Sequence, residues 1–190
     1  MSARKNDLCN QIYQLKITLR GSKPPIWRRV QVPGRATLYQ LHWIIQMAMG
    51  WTNSHLHQFI IGGEYYSEPS PFDFEQVVDE RKFKLCELIP FEKARFVYEY
   101  DFGDSWQHVI LVEKIIPPEP GARYPRCIKG KRACPPEDVG GVWGYEEMLA
   151  ALKDSSHPER EMYAEWIGDD FDPEEFDLEW VNDDLSELKI

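Results

Sequence analysis

The chain has 190 residues, 43% of them hydrophobic, and a formal net charge of −10 at pH 7. This composition is ordinary for a globular protein, and a chain of this length buries enough surface to fold without a structural metal or disulfides. No apolar run approaches the roughly 18 residues of a membrane span, and the first residues lack the apolar stretch of a secretory signal. We therefore expect a cytoplasmic protein without membrane contact, in which the four cysteines are free thiols or metal ligands rather than disulfides.

The first half of the chain predicts four strands and one helix. These are strands over residues 12–21 and 26–32, a helix over 37–50, and a strand pair over 55–67 that turns at Gly62-Gly63. Thr37 is a suitable N-cap for the helix, and Gly50 is a suitable stop. Pro24 and Pro25 make the connection between the first two strands stiff, and we expect those strands to pair antiparallel.

The second half predicts one hairpin and three helices. Residues 68–94 predict a long loop with a short helical turn, 95–115 the hairpin, 117–141 a loop, and 143–154 and 157–168 two helices. The loop prediction depends on six prolines and four glycines within residues 117–141. A last helix is predicted to begin near Asp172 or Asp177, both suitable caps.

This order of elements predicts an α+β fold in a single domain. We expect a mainly antiparallel central sheet with one long helix packed on it and a helical C-terminal region. The expected parts are a sheet core over residues 12–116 that includes the helix 37–50, a Pro/Gly-rich loop over 117–142, and an acidic helical region over 143–190.

Charge is unevenly distributed along the chain. The net charge is +7 for residues 1–60, −2 for residues 61–134 and −15 for residues 135–190. Such a gradient is typical of a basic face for an anionic partner, with an acidic segment that screens it. It is equally typical of two solvated ends that attract each other in the folded protein.

The stretch YDFGDSWQH, residues 100–108, is the densest in polar and aromatic side chains. A two-residue turn at Gly103-Asp104 places Glu99 opposite His108. Alternation then assigns these residues to the core face: Phe96, Tyr98, Tyr100, Phe102, Val109 and Leu111. The other face receives Val97, Glu99, Asp101, Trp106, His108, Ile110 and Val112. A Glu99–His108 pair suits a structural contact, a metal ligand or a proton shuttle.

Histidines and cysteines suggest a zinc site. His55 and His57 are two residues apart on a predicted strand, so their rings point to one face. Cys127 and Cys134, together with two of His55, His57 and His108, would complete a tetrahedral S₂N₂ set. The two cysteines are separated by more residues than in a typical zinc signature, so free thiols and a disulfide remain alternatives.

Acidic and basic residues offer two further candidate sites. Glu137 and Asp138 precede a predicted helix, where they either favour the helix dipole or, for Asp138, bind a metal. Near the N-terminus, a basic stretch surrounds one aromatic ring and suits a phosphate backbone with a stacked base. Its candidate nucleic-acid contacts are Arg20, Lys23, Trp27, Arg28 and Arg29.

Four motifs in order resemble one family. They are PPIWRR at residues 24–29, HLHxF at 55–59, YDFGDxWxH at 100–108 and CPPEDxGG at 134–141. With their flanks, over residues 12–185, they resemble the plasmid pRiA4b open-reading-frame-three family. The resemblance implies an α+β fold and an association with plasmids and other mobile elements. Val139 departs from the pattern, since many members carry a cysteine there, and a ligand at that position would be missing here.

Three functions follow from these residues. A non-enzymatic binding module, with zinc as an optional structural metal, agrees with the absence of P-loop, dinucleotide-binding and serine-hydrolase motifs. A metal-dependent hydrolase or nuclease is the first alternative, with its cation among His55, His57, His108, Asp101 and Asp104. A nucleic-acid-binding accessory protein is the second. Some family members are labelled resolvase-like, but the sequence lacks a serine-recombinase pattern, so that activity is not carried over.

Overall fold

The computed structural model describes residues 7–69, 77–168 and 171–189. Its elements, in chain order, are β1 (Ile12–Leu19), β2 (Trp27–Pro33), α1 (Leu38–Met49), β3 (His57–Ile61), β4 (Glu64–Ser67), β5 (Val78–Asp79), a 3-10 turn (Glu80–Lys82), α2 (Leu85–Leu88), β6 (Arg95–Tyr100), β7 (Trp106–Ile116), β8 (Arg126–Lys131), α3 (Gly141–Lys153), α4 (Arg160–Ile167) and α5 (Leu178–Ser186).

The strands form one sheet in the order β5-β4-β3-β6-β7-β1-β2-β8. Every neighbouring pair is antiparallel except β4 and β5, which are parallel. The α+β fold with a mainly antiparallel sheet is therefore confirmed. The further detail of one long helix packed on the sheet is not confirmed, since α1 has 12 residues and α3 has 13. In the parts of the chain described above, no helix combines the length and apolarity needed to cross a bilayer.

The two faces of the sheet differ. The inner face carries buried side chains such as Leu15, Ile17 and Val30, and the helices pack against it. For example, Arg28 reaches from β2 to the last turn of α1, where its Nε donates to the Ala48 carbonyl at 2.7 Å. The outer face carries half-buried or exposed polar and apolar side chains.

The sequence signals for the first helix and the first turns are confirmed. Thr37 and Gln40 form a capping box at the start of α1, and Gly50 ends the helix in a left-handed conformation with φ 97°. The β3–β4 hairpin turns at Gly62-Gly63. Asp177 caps α5 through the Glu179 and Trp180 amides.

Two loop predictions need correction. Residues 117–141 contain a regular element after all, because β8 forms there and pairs with β2. Pairing satisfies the backbone groups of β2, which would otherwise be an open sheet edge. In the 68–94 segment the structure places β5, a 3-10 turn and α2, while residues 70–76 of that prediction lie outside the described residues.

One disulfide contradicts the cysteine expectation. Cys9 and Cys86 are joined, with their Cα atoms 5.2 Å apart and 77 residues between them in the sequence. The segment before β1 therefore lies beside α2, a proximity that cysteine spacing could not reveal. Cys127 and Cys134 are free thiols.

The predicted register of the β6–β7 hairpin is wrong by one residue. Tyr98 pairs with His108 and Tyr100 with Trp106, so Glu99 lies opposite Gln107 and not His108. The cause is a wider turn over residues 101–105, in which Asp101 and Ser105 both have positive φ. A shift of one residue moves every side chain of the partner strand to the other face. Trp106, His108, Ile110 and Val112 are consequently in the core, whereas Phe102 is exposed.

Candidate functional site

Three loops meet at one end of the sheet, and each carries one of the sequence motifs. They are the segment before β3 (51–56), the turn between β6 and β7 (101–105), and the loop before α3 (134–140). The Asp101 amide donates to the Leu56 carbonyl at 2.8 Å, and the Gly140 amide donates to the Asp104 carboxylate at 3.0 Å. These bonds fix the three loops against one another.

One imidazole and two carboxylates converge where the loops meet. His55 Nε2 lies 3.0 Å from Asp138 Oδ1 and 3.7 Å from Asp101 Oδ2. One ligand atom from each of the three residues lies within 4.8 Å of the other two. The Asp101 side chain is 9% exposed, that of His55 30% and that of Asp138 71%, so the group is open to solvent on the Asp138 side.

The backbone holds both aspartates in an uncommon conformation. Asp101 has φ 55° and Asp138 has φ 61°, in the left-handed region. Such residues persist where the surrounding structure fixes them, and they are frequent at functional sites. Asp101 Oδ1 accepts from the Gly103 amide at 2.9 Å, which leaves Oδ2 turned towards His55. Close packing also holds these loops together. A Cβ on Gly141 would lie 2.5 Å from the Asp104 carbonyl oxygen, so only glycine allows this approach.

Glu137 ties the same loop to the sheet. Its carboxylate accepts short hydrogen bonds from the Tyr100 and Thr52 hydroxyls, and the Trp51 indole donates to the Pro135 carbonyl at 3.0 Å. Partial burial raises the pKa of Glu137, but these hydrogen bonds outweigh burial and hold the pKa below its usual range. Glu137 is therefore a negatively charged anchor beside the His55 group.

A separate buried cluster contains His42, His57 and Glu80. His57 Nε2 contacts both oxygens of Glu80, at 2.9 and 3.0 Å, and the Glu80 side chain is 0% exposed. His42 of α1 stacks on His57, with ring centroids 3.5 Å apart and planes 9° from parallel. The 3-10 turn that carries Glu80 is thereby connected to α1 and to the start of β3.

His42 is held neutral. Its Nδ1 lies 2.8 Å from the Tyr98 hydroxyl and its Nε2 3.0 Å from Asn53 Oδ1. Burial, helped by the neighbouring His57, lowers the pKa of His42 to about 3, and the hydrogen bond that Nε2 donates to Asn53 Oδ1 offsets only part of this effect. Gln46 also donates to the Tyr98 hydroxyl at 2.9 Å. The buried polar groups of His42, Gln46 and Tyr98 are therefore all hydrogen-bonded.

A cleft of about 450 Å³ is lined by His55 and by the stacked His42 and His57. Its lining residues are Tyr39, His42, Trp43, Asn53, Ser54, His55, Leu56, His57, Ser67 and Glu68. His55 belongs both to this lining and to the group with the two aspartates.

The predicted S₂N₂ set is not brought together. In the described parts of the chain, His55, Asp101 and Asp138 form the one group of three or more such ligand atoms close enough to hold an ion, and it contains no cysteine. Cys127 donates to the Lys129 carbonyl on the inner side of β8, and burial raises its pKa. His57 faces Glu80. Within the described residues, the cysteines and histidines of the zinc hypothesis therefore do not form such a group.

The remaining polar candidates also separate. His108 is 0% exposed within the core and neither ring nitrogen has a hydrogen-bond partner in the described structure. Glu99 lies on the outer face, where it accepts from Gln58 and Ser105. Asp104 caps the Gly140 amide. Of the predicted polar cluster, Asp101 and Asp138 are in the His55 group.

The basic stretch divides between the two faces. Arg28 is 2% exposed and donates to the carbonyls of Ala48, Trp27 and Lys131, so it is structural and cannot contact a phosphate. Arg29 lies on the outer face and binds both oxygens of Glu113, at 2.6 and 2.8 Å. The other predicted contacts, Arg20, Lys23 and Trp27, are exposed or half-buried.

Sequence reasoning missed Glu80, His42 and Gln46. His42 and Gln46 are four residues apart within the apolar stripe of α1, which places both on one helix face among core residues. Two polar residues on an apolar stripe require buried partners, and that signal could have been used. Glu80 had no such signal, because its position depends on how an irregular segment folds back.

The fold and the site define an α+β protein in which His55 belongs both to a histidine–carboxylate group and to the lining of a cleft. The chain belongs to the plasmid pRiA4b ORF-3-like protein family, whose model matches residues 11–180. An uncharacterized protein, y4hQ of Sinorhizobium fredii, is 37% identical over 179 residues, which are 93% of this chain and 92% of that protein. A crystal structure of a protein of unknown function, MM3350 of Methanosarcina mazei, is similar with a TM-score of 0.81 and 45% identity, over 89% of this chain and 96% of that one.

Proposed function

We propose that this protein is a binding module for a divalent metal cation, held by His55, Asp101 and Asp138. The observation that carries the proposal is the convergence of three ligand atoms, within 4.8 Å of one another, from loops about 35 to 50 residues apart in sequence. An imidazole and two carboxylates suit borderline cations such as Mn²⁺ and Zn²⁺.

The local electrostatics support a cation. The buried Nε2 of His55 lacks a partner with hydrogen-bond geometry in the described residues, although Asp138 Oδ1 lies only 3.0 Å away. Two carboxylates share this position, and Glu137 adds a third negative charge nearby. A divalent ion would relieve the repulsion among them and give the His55 nitrogen a partner.

Isothermal titration of the metal-free protein with Mn²⁺ and Zn²⁺ tests the proposal. We expect about one ion per chain in the wild type. Asp138→Asn, an exposed and nearly isosteric change, and His55→Ala should each weaken binding at least about tenfold, because each removes one ligand. Removing the ion with a chelator should lower the thermal midpoint of the wild type more than that of Asp138→Asn.

A matched control is His157→Ala, since His157 lies beside Asp154 on the surface, outside the site. It should bind as tightly as the wild type. Failure of the wild type to bind either ion, or equal weakening in His157→Ala, would contradict the proposed site.

A metal-dependent hydrolase is the second candidate. Catalytic zinc sites keep three protein ligands and an open position for water. The site here offers three ligands, of which Asp138 is 71% exposed to solvent. The protein loaded with Mn²⁺ or Zn²⁺ should then cleave a phosphodiester or an ester probe, and Asp138→Asn should lose that turnover. If the metal-loaded wild type cleaves the probe no faster than the free ion does, the hydrolase is ruled out and only the metal-binding function remains.

A further inference from the structure

The outer face of β6, β7, β1, β2 and β8 is basic, although the whole chain carries a net charge of −10. The cations on or next to the outward positions of these strands are Lys16, Arg20, Arg29, Arg95, Arg126, Lys129 and Lys131. The acids among the outward positions are Glu99 and Glu113, and both already accept hydrogen bonds from neighbouring side chains. A basic face on an acidic chain favours an anionic partner.

Trp27 is the aromatic centre of this face. Lys16 Nζ lies 5.0 Å and Arg29 Cζ 5.2 Å from its ring centroid. The sheet register places Thr18 on one side of Trp27 and Lys131 on the other. A half-buried indole with cations around it is the arrangement that binds a base by stacking and the adjoining phosphates by charge.

The cations form a row along the direction that crosses the strands. Arg95 pairs with Leu111, Leu111 with Lys16, Lys16 with Arg29, and Arg29 with Lys129, each on the neighbouring strand. With strands about 4.8 Å apart, this row is about 19 Å long. Arg29 is partly neutralised by Glu113, which leaves Lys16 and the two exposed β8 lysines as the principal phosphate contacts.

We propose that this outer face binds single-stranded nucleic acid, with Trp27 stacking on a base and with Lys16, Lys129 and Lys131 contacting phosphates. An open sheet presents the ring and the cations in one plane, as a single strand presents its bases and phosphates. A duplex hides its bases from such a surface. Compared with the nucleic-acid contacts predicted from the sequence, this interface omits the buried Arg28 and includes residues of β1 and β8. It does not depend on the metal site.

Fluorescence anisotropy with labelled DNA and RNA oligonucleotides of about 12 nucleotides, at about 50 mM salt, tests the proposal. The wild type should bind both single strands more tightly than a duplex of the same length. Lys129→Glu/Lys131→Glu should weaken binding at least about tenfold and lower the slope of log affinity against log salt by about 1.4, since each single-strand contact contributes about 0.7. Trp27→Leu should weaken binding by about fivefold or more.

The matched control is Lys153→Glu/Arg160→Glu, which changes the net charge equally at exposed positions of α3 and α4. It should bind like the wild type, and so should Asp138→Asn. Circular dichroism should show that every variant is folded. Absence of single-strand binding by the wild type, equal weakening by the control, or preference for the duplex would overturn the proposal. Retention on anionic lipid vesicles without oligonucleotide binding would overturn it as well, in favour of a membrane surface.

Discussion

Replacing Glu80 by alanine is expected to lower the free energy of unfolding by about 3–5 kcal/mol. This is the usual cost of removing one partner from a buried carboxylate–imidazole pair. Glu80 is completely buried and accepts from His57 Nε2 with both oxygens, and His57 stacks on His42. The substitution leaves His57 without its partner and opens a cavity where the 3-10 turn meets α1.

Urea denaturation, followed by tryptophan fluorescence, measures the effect. Glu80→Gln keeps the shape and one hydrogen bond, so it should cost less, about 1–2 kcal/mol. Glu64→Ala, at an exposed position on β4, is the control and should change the free energy by less than about 0.5 kcal/mol. A loss below about 1 kcal/mol in Glu80→Ala would show that the pair with His57 is not formed in the folded protein.

Acid is expected to destabilise the protein through His42 and His108. Burial lowers the pKa of each to about 3, whereas an unfolded histidine titrates near 6.5. Between these values the unfolded state binds more protons than the folded state. The contribution of the two histidines to the free energy of unfolding is therefore fully present above about pH 6.5 and is lost as the pH falls towards 3. Each histidine should remove about 1.4 kcal/mol per pH unit, or about 2 kcal/mol at pH 5.

The variant His108→Leu isolates one of the two contributions. No group among the described residues meets hydrogen-bond geometry with the His108 ring, so an apolar side chain of similar volume should cost little at pH 7. Urea titrations at about pH 7 and pH 5 should show a smaller loss of stability in the variant, by about 2 kcal/mol. An unchanged loss, or a large destabilisation at pH 7, would contradict a neutral and unpartnered His108.

The elements that sequence patterns predicted well are those set by local chemistry. The α1 helix begins at the Thr37 capping box and ends at Gly50, and the β3–β4 hairpin turns at two glycines. These signals act over a few residues and need no tertiary partner. The same holds for Asp177 at the start of α5.

The elements that were missed depend on contacts between distant segments. β8 forms among prolines because β2 offers it a partner, and Gly130 is needed there because a Cβ would lie 2.4 Å from the Phe176 ring. The turn at residues 101–105 is wider than Gly103 suggested, since Asp101 and Ser105 both take positive φ. The resulting shift of one residue in the strand register places His108 in the core and not in the predicted candidate site.

The sequence predicts the residue types of the candidate site and part of its grouping. His55 and Asp101 belong together in the hydrolase alternative, with His57, His108 and Asp104, whereas Asp138 is a separate metal candidate beside Glu137. Their convergence arises from the bond between the Asp101 amide and the Leu56 carbonyl and from the Asp104 cap on Gly140. Backbone contacts of this kind leave no trace in spacing or periodicity.

An anomalous diffraction map from crystals soaked in Mn²⁺ tests the metal site most directly. We expect one strong peak within about 2.3 Å of His55 Nε2 and of one carboxylate oxygen each from Asp101 and Asp138, at the distances usual for such ligands. Asp138→Asn crystals should show a much weaker peak at that position, or none. A wild-type map without a peak there, or with its strongest peak at Cys127 and Cys134, would contradict the proposed metal site.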